Sequence, residues 1–405
     1  MRQRNLLASY LSPLTRFMKK DYEYIVLGLG GFGSAAAYWL SRRAGAEVLG
    51  VEQFELGHVR GESQDHSRII RLSYHTPEYV ELAKYAYRAW AELEKDSGEQ
   101  VVLKTGGLDF APRASAIPLS GYSGSMDAAG VPYEALDADE IMRRWPQFNL
   151  SDDIHGLFQP ESGIAMAARA NAAHQRMARE HGATLLDRTP IENIRPSNGD
   201  IRITAGGTDY SCRKLIIAAG SWSNRALAPL GIQLPLRVTQ EQVTYFATSR
   251  PDDFQPGRFP IWIWMDDPCF YGFPIFGEKG PKVGQDAGGQ EVTAETRTFE
   301  PDRAALGRVQ AFLAQYIPTA LGPIIYTKSC LYTLTPDRDF VLDSIPGHPN
   351  ALIAIGGGHG FKFASLIGRT LSELAIDGTT ERNLDPFHID RPILRQKNPP
   401  KKYMV

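Results

Sequence analysis

Residues 22–27 (Tyr-Glu-Tyr-Ile-Val-Leu) are a short, apolar, β-rich run that ends in a glycine turn. The following stretch, Ser34 to Leu40, is a good helix former with small residues at its start, and Glu47 to Val51 is strand-like again. Strand, tight turn, helix and strand within about thirty residues make one βαβ unit. The pattern recurs downstream. Leu215 to Ala219 runs into Gly220-Ser221-Trp222, and Ala351 to Ile355 runs into Gly356-Gly357-Gly358-His359-Gly360, with a helix predicted from Ala364 to Ile376. These units lie near the beginning, middle and end of the chain, so we expect one discontinuous α/β domain interrupted by insertions.

The insertions, residues 105–160 and 236–329, are rich in aromatics and prolines. Pro260-Ile261-Trp262-Ile263-Trp264, Phe270-Tyr271-Gly272-Phe273-Pro274 and Pro281-Lys282-Val283-Gly284 read as short strands joined by turns. They suit an antiparallel sheet that covers a cofactor. The expected division is 21–104, 161–235 and 330–392 for the discontinuous domain, and 105–160 with 236–329 for the inserted one. Residues 1–20 are an N-terminal extension and 393–405 a polar tail. There is no internal repeat and no low-complexity tract.

A chain of 405 residues is long enough for two linked cores. A formal net charge of −2 gives no sign of a nucleic-acid partner. No window approaches the ~18 uninterrupted apolar residues of a membrane span. Cys212, Cys269 and Cys330 are too few and too irregularly spaced for a disulfide framework or a zinc site, so we expect no metal and a reduced, cytoplasmic setting. Residues 1–20 carry Arg2, Arg4, Arg16, Lys19 and Lys20 and no acid, a bias shared by mitochondrial presequences. Pro13 interrupts their helical pattern, and Met18 offers a second start.

Gly28-Leu29-Gly30-Gly31-Phe32-Gly33 fits the dinucleotide fingerprint. Gly28 permits the turn, Gly30 lets a pyrophosphate approach the backbone, and Gly33 lets the helix pack closely. The helix N-terminus offers free N–H groups to phosphates. Glu52 closes the next strand, where an acid accepts hydrogen bonds from ribose hydroxyls. Gln53-Phe54-Glu55 supplies no base for a 2′-phosphate. The fingerprint by itself also admits a nicotinamide cofactor.

Further motifs separate the cofactors. Gly61-Glu62-Ser63-Gln64-Asp65-His66-Ser67-Arg68-Ile69-Ile70-Arg71 resembles the segment after the second strand in the monomeric sarcosine oxidases and their relatives, N-methyltryptophan oxidase and pipecolate oxidase. Tyr271-Gly272-Phe273-Pro274 with Lys282-Val283-Gly284 is similar to another of their segments. So are Ser329-Cys330-Leu331-Tyr332-Thr333 with Thr335-Pro336-Asp337, Phe340 and Asp343, and Gly358-His359-Gly360-Phe361-Lys362-Phe363. Order and spacing hold from about residue 22 to 392, so the chain resembles this family throughout. The resemblance implies a Rossmann-like FAD-binding domain with an inserted antiparallel-sheet substrate domain, the glycine/D-amino-acid oxidase fold.

The resemblance also implies roles. Cys330 aligns with the cysteine that forms a thioether to the flavin 8α-methyl; alone it reads as a core thiol. Lys282 aligns with the lysine that activates O2; alone it reads as a snorkelling strand lysine. Arg71 and Lys362 align with the two cations that grip the substrate carboxylate, although each alone reads as a surface charge. Arg68 aligns with an arginine against the flavin ring. Gly28, Gly30, Gly31, Phe32, Gly33, Glu52, Gln53, Ser63, Ser67, Gly357, Gly358, His359, Gly360 and Phe361 complete the expected FAD contacts.

The departures bear on substrate. The family has histidines where this chain has Gln64 and Asp286, and its active-site tyrosine aligns with Phe270. Trp264, together with Trp262, is a further pocket candidate against a core-packing alternative. Asp286 either meets a substrate ammonium or sits in a turn. His66 aligns with a family aspartate and is given no catalytic role.

The expected activity is oxidation of a small secondary amine bearing a carboxylate, an N-methyl or cyclic amino acid, to an imine and H2O2. The partners are that substrate and O2, and the chain is a monomer or weak homo-oligomer. The alternatives are a flavin dehydrogenase using another acceptor, an oxidase of primary amino acids, an NAD(P)-dependent dehydrogenase and a non-catalytic flavin-binding protein.

Overall fold

A computed structural model describes residues 19–197 and 199–399. The N-terminal extension up to residue 18, with its targeting and second-start readings, and the tail from residue 400 lie outside them. Among the described residues no helix is long and apolar enough to cross a membrane.

The three strand–glycine units stand side by side. Asp21–Leu27 lies between Val48–Val51 and the end of Thr208–Ile217, and the latter pairs in parallel with His348–Ile355. Thr184–Leu186 extends this parallel sheet beyond Val48–Val51. Ile25, Val26, Leu215, Ile216 and Ile353 are fully buried, as a parallel sheet covered on both faces requires. The helix Gly31–Ala44 follows the first strand and packs against Ala364–Ile376 and Ala167–Glu180. The approach to Ala364–Ile376 is close: a Cβ on Gly368 would lie 2.5 Å from the Ala35 Cβ.

The second sheet is antiparallel apart from one parallel pair, Ile261–Trp264 with Gly107–Pro112. Its order runs from Gln290–Val292 through Arg237–Phe246, Lys282–Gln285, Phe270–Phe273 and Ile261–Trp264 to Gly107–Pro112, Ile154–Gln159 and Glu134–Asp137. Ile324–Leu334 pairs with the other edge of Arg237–Phe246. The mixed α/β architecture with an inserted antiparallel sheet therefore stands. The boundary expected at 329/330 needs correction. Hydrogen-bonded register with Arg237–Phe246 continues to Leu334, so Cys330 sits within a strand of the antiparallel sheet. Arg68–Ile70, Gly163–Ala165 and Val102–Lys104 form a separate small antiparallel sheet in that order.

Candidate active site

A cavity of about 530 Å3 runs between the glycine turns of the parallel sheet and the inner face of the antiparallel one. At one end is the fingerprint loop. Gly28 has φ +87°, and a Cβ on it would press on the Ala218 carbonyl at 2.5 Å. A Cβ on Gly33 would lie 1.7 Å from the Gly28 oxygen, so only glycine lets the helix start this close to the strand. Above Gly30 a Cβ would meet only the Ser63 side chain, and the helix it caps has no side-chain cap and no acid in its first turn. Its N-terminal N–H groups and partial positive charge therefore face the cavity. Gly31 N donates to Ser63 Oγ at 2.8 Å.

Glu52 ends the second strand on the cavity wall. It accepts from Leu29 N at 2.8 Å and Phe54 N at 3.0 Å, and His58 Nε2 lies 3.5 Å away. Burial pushes its carboxyl up, but the hydrogen bonds from His58 and the two backbone amides outweigh this and hold it below the usual range. It presents a carboxylate at neutral pH. From the opposite side Phe32 lodges beside Gly356 and Gly360, where added Cβ atoms would lie 3.1 Å and 2.5 Å from its ring.

The other end gathers polar groups from separate segments. Lys282 is 2 % exposed and donates to Asp65 Oδ2 at 2.9 Å and Ser67 O at 2.8 Å. Arg68 donates to the carbonyls of Ser67 and Glu62. Cys330 faces this region beside Arg68; burial pushes its thiol up to about 11, while the guanidinium pulls it back towards ionisation. Asp286 is engaged by Arg338 at 2.5 and 3.2 Å. Gln64 donates to Ser329 O at 2.7 Å and leaves its own oxygen, Oε1, without a partner. Lys362 is buried in the turn Gly360–Phe363 with no carboxylate in ion-pair distance among the described residues. Burial first, then the Arg71 charge, lowers its ammonium to about 7.

The family signature described as FAD dependent oxidoreductase matches residues 23–374. The chain belongs to the FAD-dependent oxidoreductase family. It is 34 % identical over 385 residues to a monomeric sarcosine oxidase of Arthrobacter sp. (strain TE1826), covering 94 % of this chain and 99 % of that one. It is 31 % identical over 376 residues to an N-methyl-L-tryptophan oxidase of Salmonella heidelberg (strain SL476), covering 91 % and 99 %. Among solved structures, NikD, described as an unusual amino acid oxidase essential for nikkomycin biosynthesis, superposes with a TM-score of 0.81 at 25 % identity, covering 91 % of this chain and 98 % of NikD. An L-proline dehydrogenase from P. horikoshii shares the fold, with a TM-score of 0.80 at 22 % identity and coverage of 92 % and 97 %.

The oxidoreductase's cavity fits FAD: a glycine cradle at a helix N-terminus suits the pyrophosphate, and Glu52 on the cavity wall suits a ribose. Gly28, Gly30, Gly31, Phe32, Glu52, Gln53, Ser63, Gln64, Ser67, Arg68, Lys282, Asp286, Cys330, Gly358, His359, Gly360, Phe361 and Lys362 line it. Gly33 and Gly357 do not; they serve packing, the latter at φ +59° with a Cβ position 2.2 Å from the Arg338 oxygen.

Three expected pocket residues face away. Trp262, Trp264 and Phe270 point to the far side of the antiparallel sheet, where Phe270 stacks on Phe312 at 4.6 Å and Trp264 packs on Tyr316 at 4.5 Å. Side chains alternate along a strand, so their neighbours Ile263, Tyr271 and Phe273 take the cavity side. Arg71 is 1 % exposed and stands behind the wall. Its Nη1 donates to Asp109 Oδ1 at 2.9 Å, Ser73 Oγ donates to Asp109 Oδ2 at 2.6 Å, and its Nε and Nη2 have no partner. Asp109 thus turns the two-toothed edge of the guanidinium free.

Sequence reasoning missed Asp65, Asp109, Tyr271, Tyr332 and Arg338. The counter-ions left no local signal, because each lies 38 to 217 residues from the cation it answers. Tyr271 was recoverable, since it shares its strand face with Phe273.

Proposed function

We propose that this oxidoreductase removes two electrons from the C–N bond of a small secondary amine bearing a carboxylate, an N-methyl or cyclic amino acid, and delivers them to O2. The observation that carries the reading is Lys362: a buried ammonium with no counter-ion among the described residues, on the wall of the cavity that also holds Cys330, Arg68 and Lys282. An uncompensated buried charge is costly unless a ligand answers it. The names of the curated relatives point to the same substrate class.

FAD, when bound, supplies the two-electron acceptor, with Cys330 proposed as its covalent anchor and the fingerprint loop, Ser63, Glu52 and the Gly356–Phe361 turn as its cradle. Lys362 takes the substrate carboxylate, and the open edge of Arg71 stands behind it to donate to a second oxygen. Asp286 is already held by Arg338, so it is not free to pair with the substrate amine, and the nearby cations favour the neutral form of that amine. Orientation and charge, rather than a side-chain base, lower the barrier. Lys282 holds a proton and a positive charge at the cavity wall, where negative charge on reduced oxygen is stabilised.

One observation favours a second reading, a dehydrogenase using an acceptor other than O2: Lys282 already carries a counter-ion, Asp65. The test for both is a screen of N-methyl and cyclic amino acids, with primary amino acids as controls, under air. One H2O2 per substrate oxidised supports the oxidase. Turnover only with an added dye supports the dehydrogenase, and no flavin reduction by any amino acid rejects both.

A further inference from the structure

We propose that Asp65 is a positioning residue that holds Lys282 and sets how much positive charge it presents to the cavity. The proposal rests on the reading of Lys282 as the group that meets reduced oxygen.

Asp65 has φ +82°, a region that a residue with a Cβ enters only when its surroundings hold it there. Its surroundings do so. Lys282 Nζ donates to Oδ2 at 2.9 Å, and Tyr245 Oη lies 3.0 and 3.1 Å from the two carboxylate oxygens. The pair is almost completely buried, with side chains 2 % and 4 % exposed. Lys282 spends a second N–H on Ser67 O and lies 4.2 Å from the centre of the Phe273 ring. An ammonium has three donors, so one remains for the cavity. A strained residue in a buried ion pair is a poor way to gain stability, since an apolar pair of similar volume does as well or better. Its position on the cavity wall gives it another use.

Two opposed effects follow. Asp65 keeps the buried ammonium protonated: burial lowers Lys282 to about 8, and Asp65 is the largest influence holding it up. Asp65 also cancels part of the field of that ammonium. Arg68, Lys328, Cys330, Tyr245 and the His66–Glu278 pair are the other charged or titratable groups facing this spot; Asp65 also favours the protonated forms of Arg68, Lys328, Cys330 and Tyr245, so Lys282→Met is the control that isolates the lysine's share. Removing the carboxylate therefore strengthens the local positive charge at low pH and abolishes it at a lower pH than in the wild type.

Sulfite, an anion that binds reversibly to oxidised flavin and bleaches its visible band, reads this charge without turnover. The holoenzyme, Asp65→Asn, Asp65→Gly and Lys282→Met are titrated with sulfite from pH 6 to 9. Asp65→Gly relieves the backbone and guards against a folding defect. Relative to wild type, both Asp65 variants are expected to bind sulfite at least threefold more tightly at pH 6, and this advantage is expected to shrink as pH rises, because Lys282 loses its proton at a lower pH than in the wild type. Asp65→Glu restores the wild-type profile in part. Asp65 variants that parallel the wild type at every pH, while Lys282→Met differs, overturn the proposal. Lys282→Met that matches the wild type overturns instead the reading of Lys282.

Discussion

Cys330 shows how far one side chain's chemistry depends on its setting. With its thiol pushed up to about 11, little thiolate exists at neutral pH, so the attack on a flavin methyl proposed above would rely on the neighbouring Arg68 guanidinium. Cys330→Ser is expected to yield protein whose yellow colour is released on acid precipitation; colour that stays with the pellet places the bond elsewhere. Lys362 yields a pH prediction. Its folded value, about 7, lies below that of a free lysine, so its charge costs stability below about pH 7, and the cost fades as pH rises towards the unfolded value. A bound carboxylate reverses the preference and favours the ammonium. The Kd of a carboxylate inhibitor should therefore be flat below pH 7 and rise above it by up to ~tenfold per unit. Lys362→Met should flatten the profile, and an unchanged profile removes Lys362 from the site. Lys362 was legible through the motif Gly358-His359-Gly360-Phe361-Lys362-Phe363 that carries it. The pairing of Arg71 with Asp109 was not, because nothing in residues 61–71 indicates which distant strand lies against them.

At the scale of elements, the strand Phe270–Phe273 carries the most direct lesson. A shift of one residue exchanges the two faces of a strand, and the expectation of Phe270 in the pocket is off by that amount. Tyr271 faces the cavity and Phe270 packs on Phe312. Tyr271→Phe should change kcat/KM at little cost in stability. Phe270→Tyr should leave KM alone and destabilise the protein by ~1–3 kcal/mol, the cost of burying an unpartnered hydroxyl. Thermal melts and steady-state kinetics on both variants separate the two; a KM effect confined to Phe270→Tyr returns that side chain to the pocket. The fingerprint loop was readable because its glycines answer local demands. Gly33 is excluded from any larger residue by the Gly28 carbonyl five residues before it, a contact written into the loop itself.

At the scale of the molecule, the cavity exists only where two sheets face each other across it. Its walls come from segments as far apart as residues 27 and 362. Binding of FAD should therefore weld the halves. In Cys330→Ser, where flavin becomes removable, FAD at a thousandfold excess over its Kd should add ~4 kcal/mol of stability. Calorimetry of stripped and reloaded protein checks this, and equal melting temperatures contradict it.

By itself the sequence determined what depends on neighbours along the chain: the βαβ unit, the glycine cradle, the strand–turn–helix units and the α/β class. Those follow from hydrogen bonding, period and backbone freedom over a few residues. Tertiary structure alone decided which strand face meets the cavity, that Cys330 belongs to the antiparallel sheet, and which acid answers each buried cation. Charges and packing act through space, and the partners of Lys282, Arg71 and Asp286 are set by how the sheets stack, a relation that no local pattern encodes.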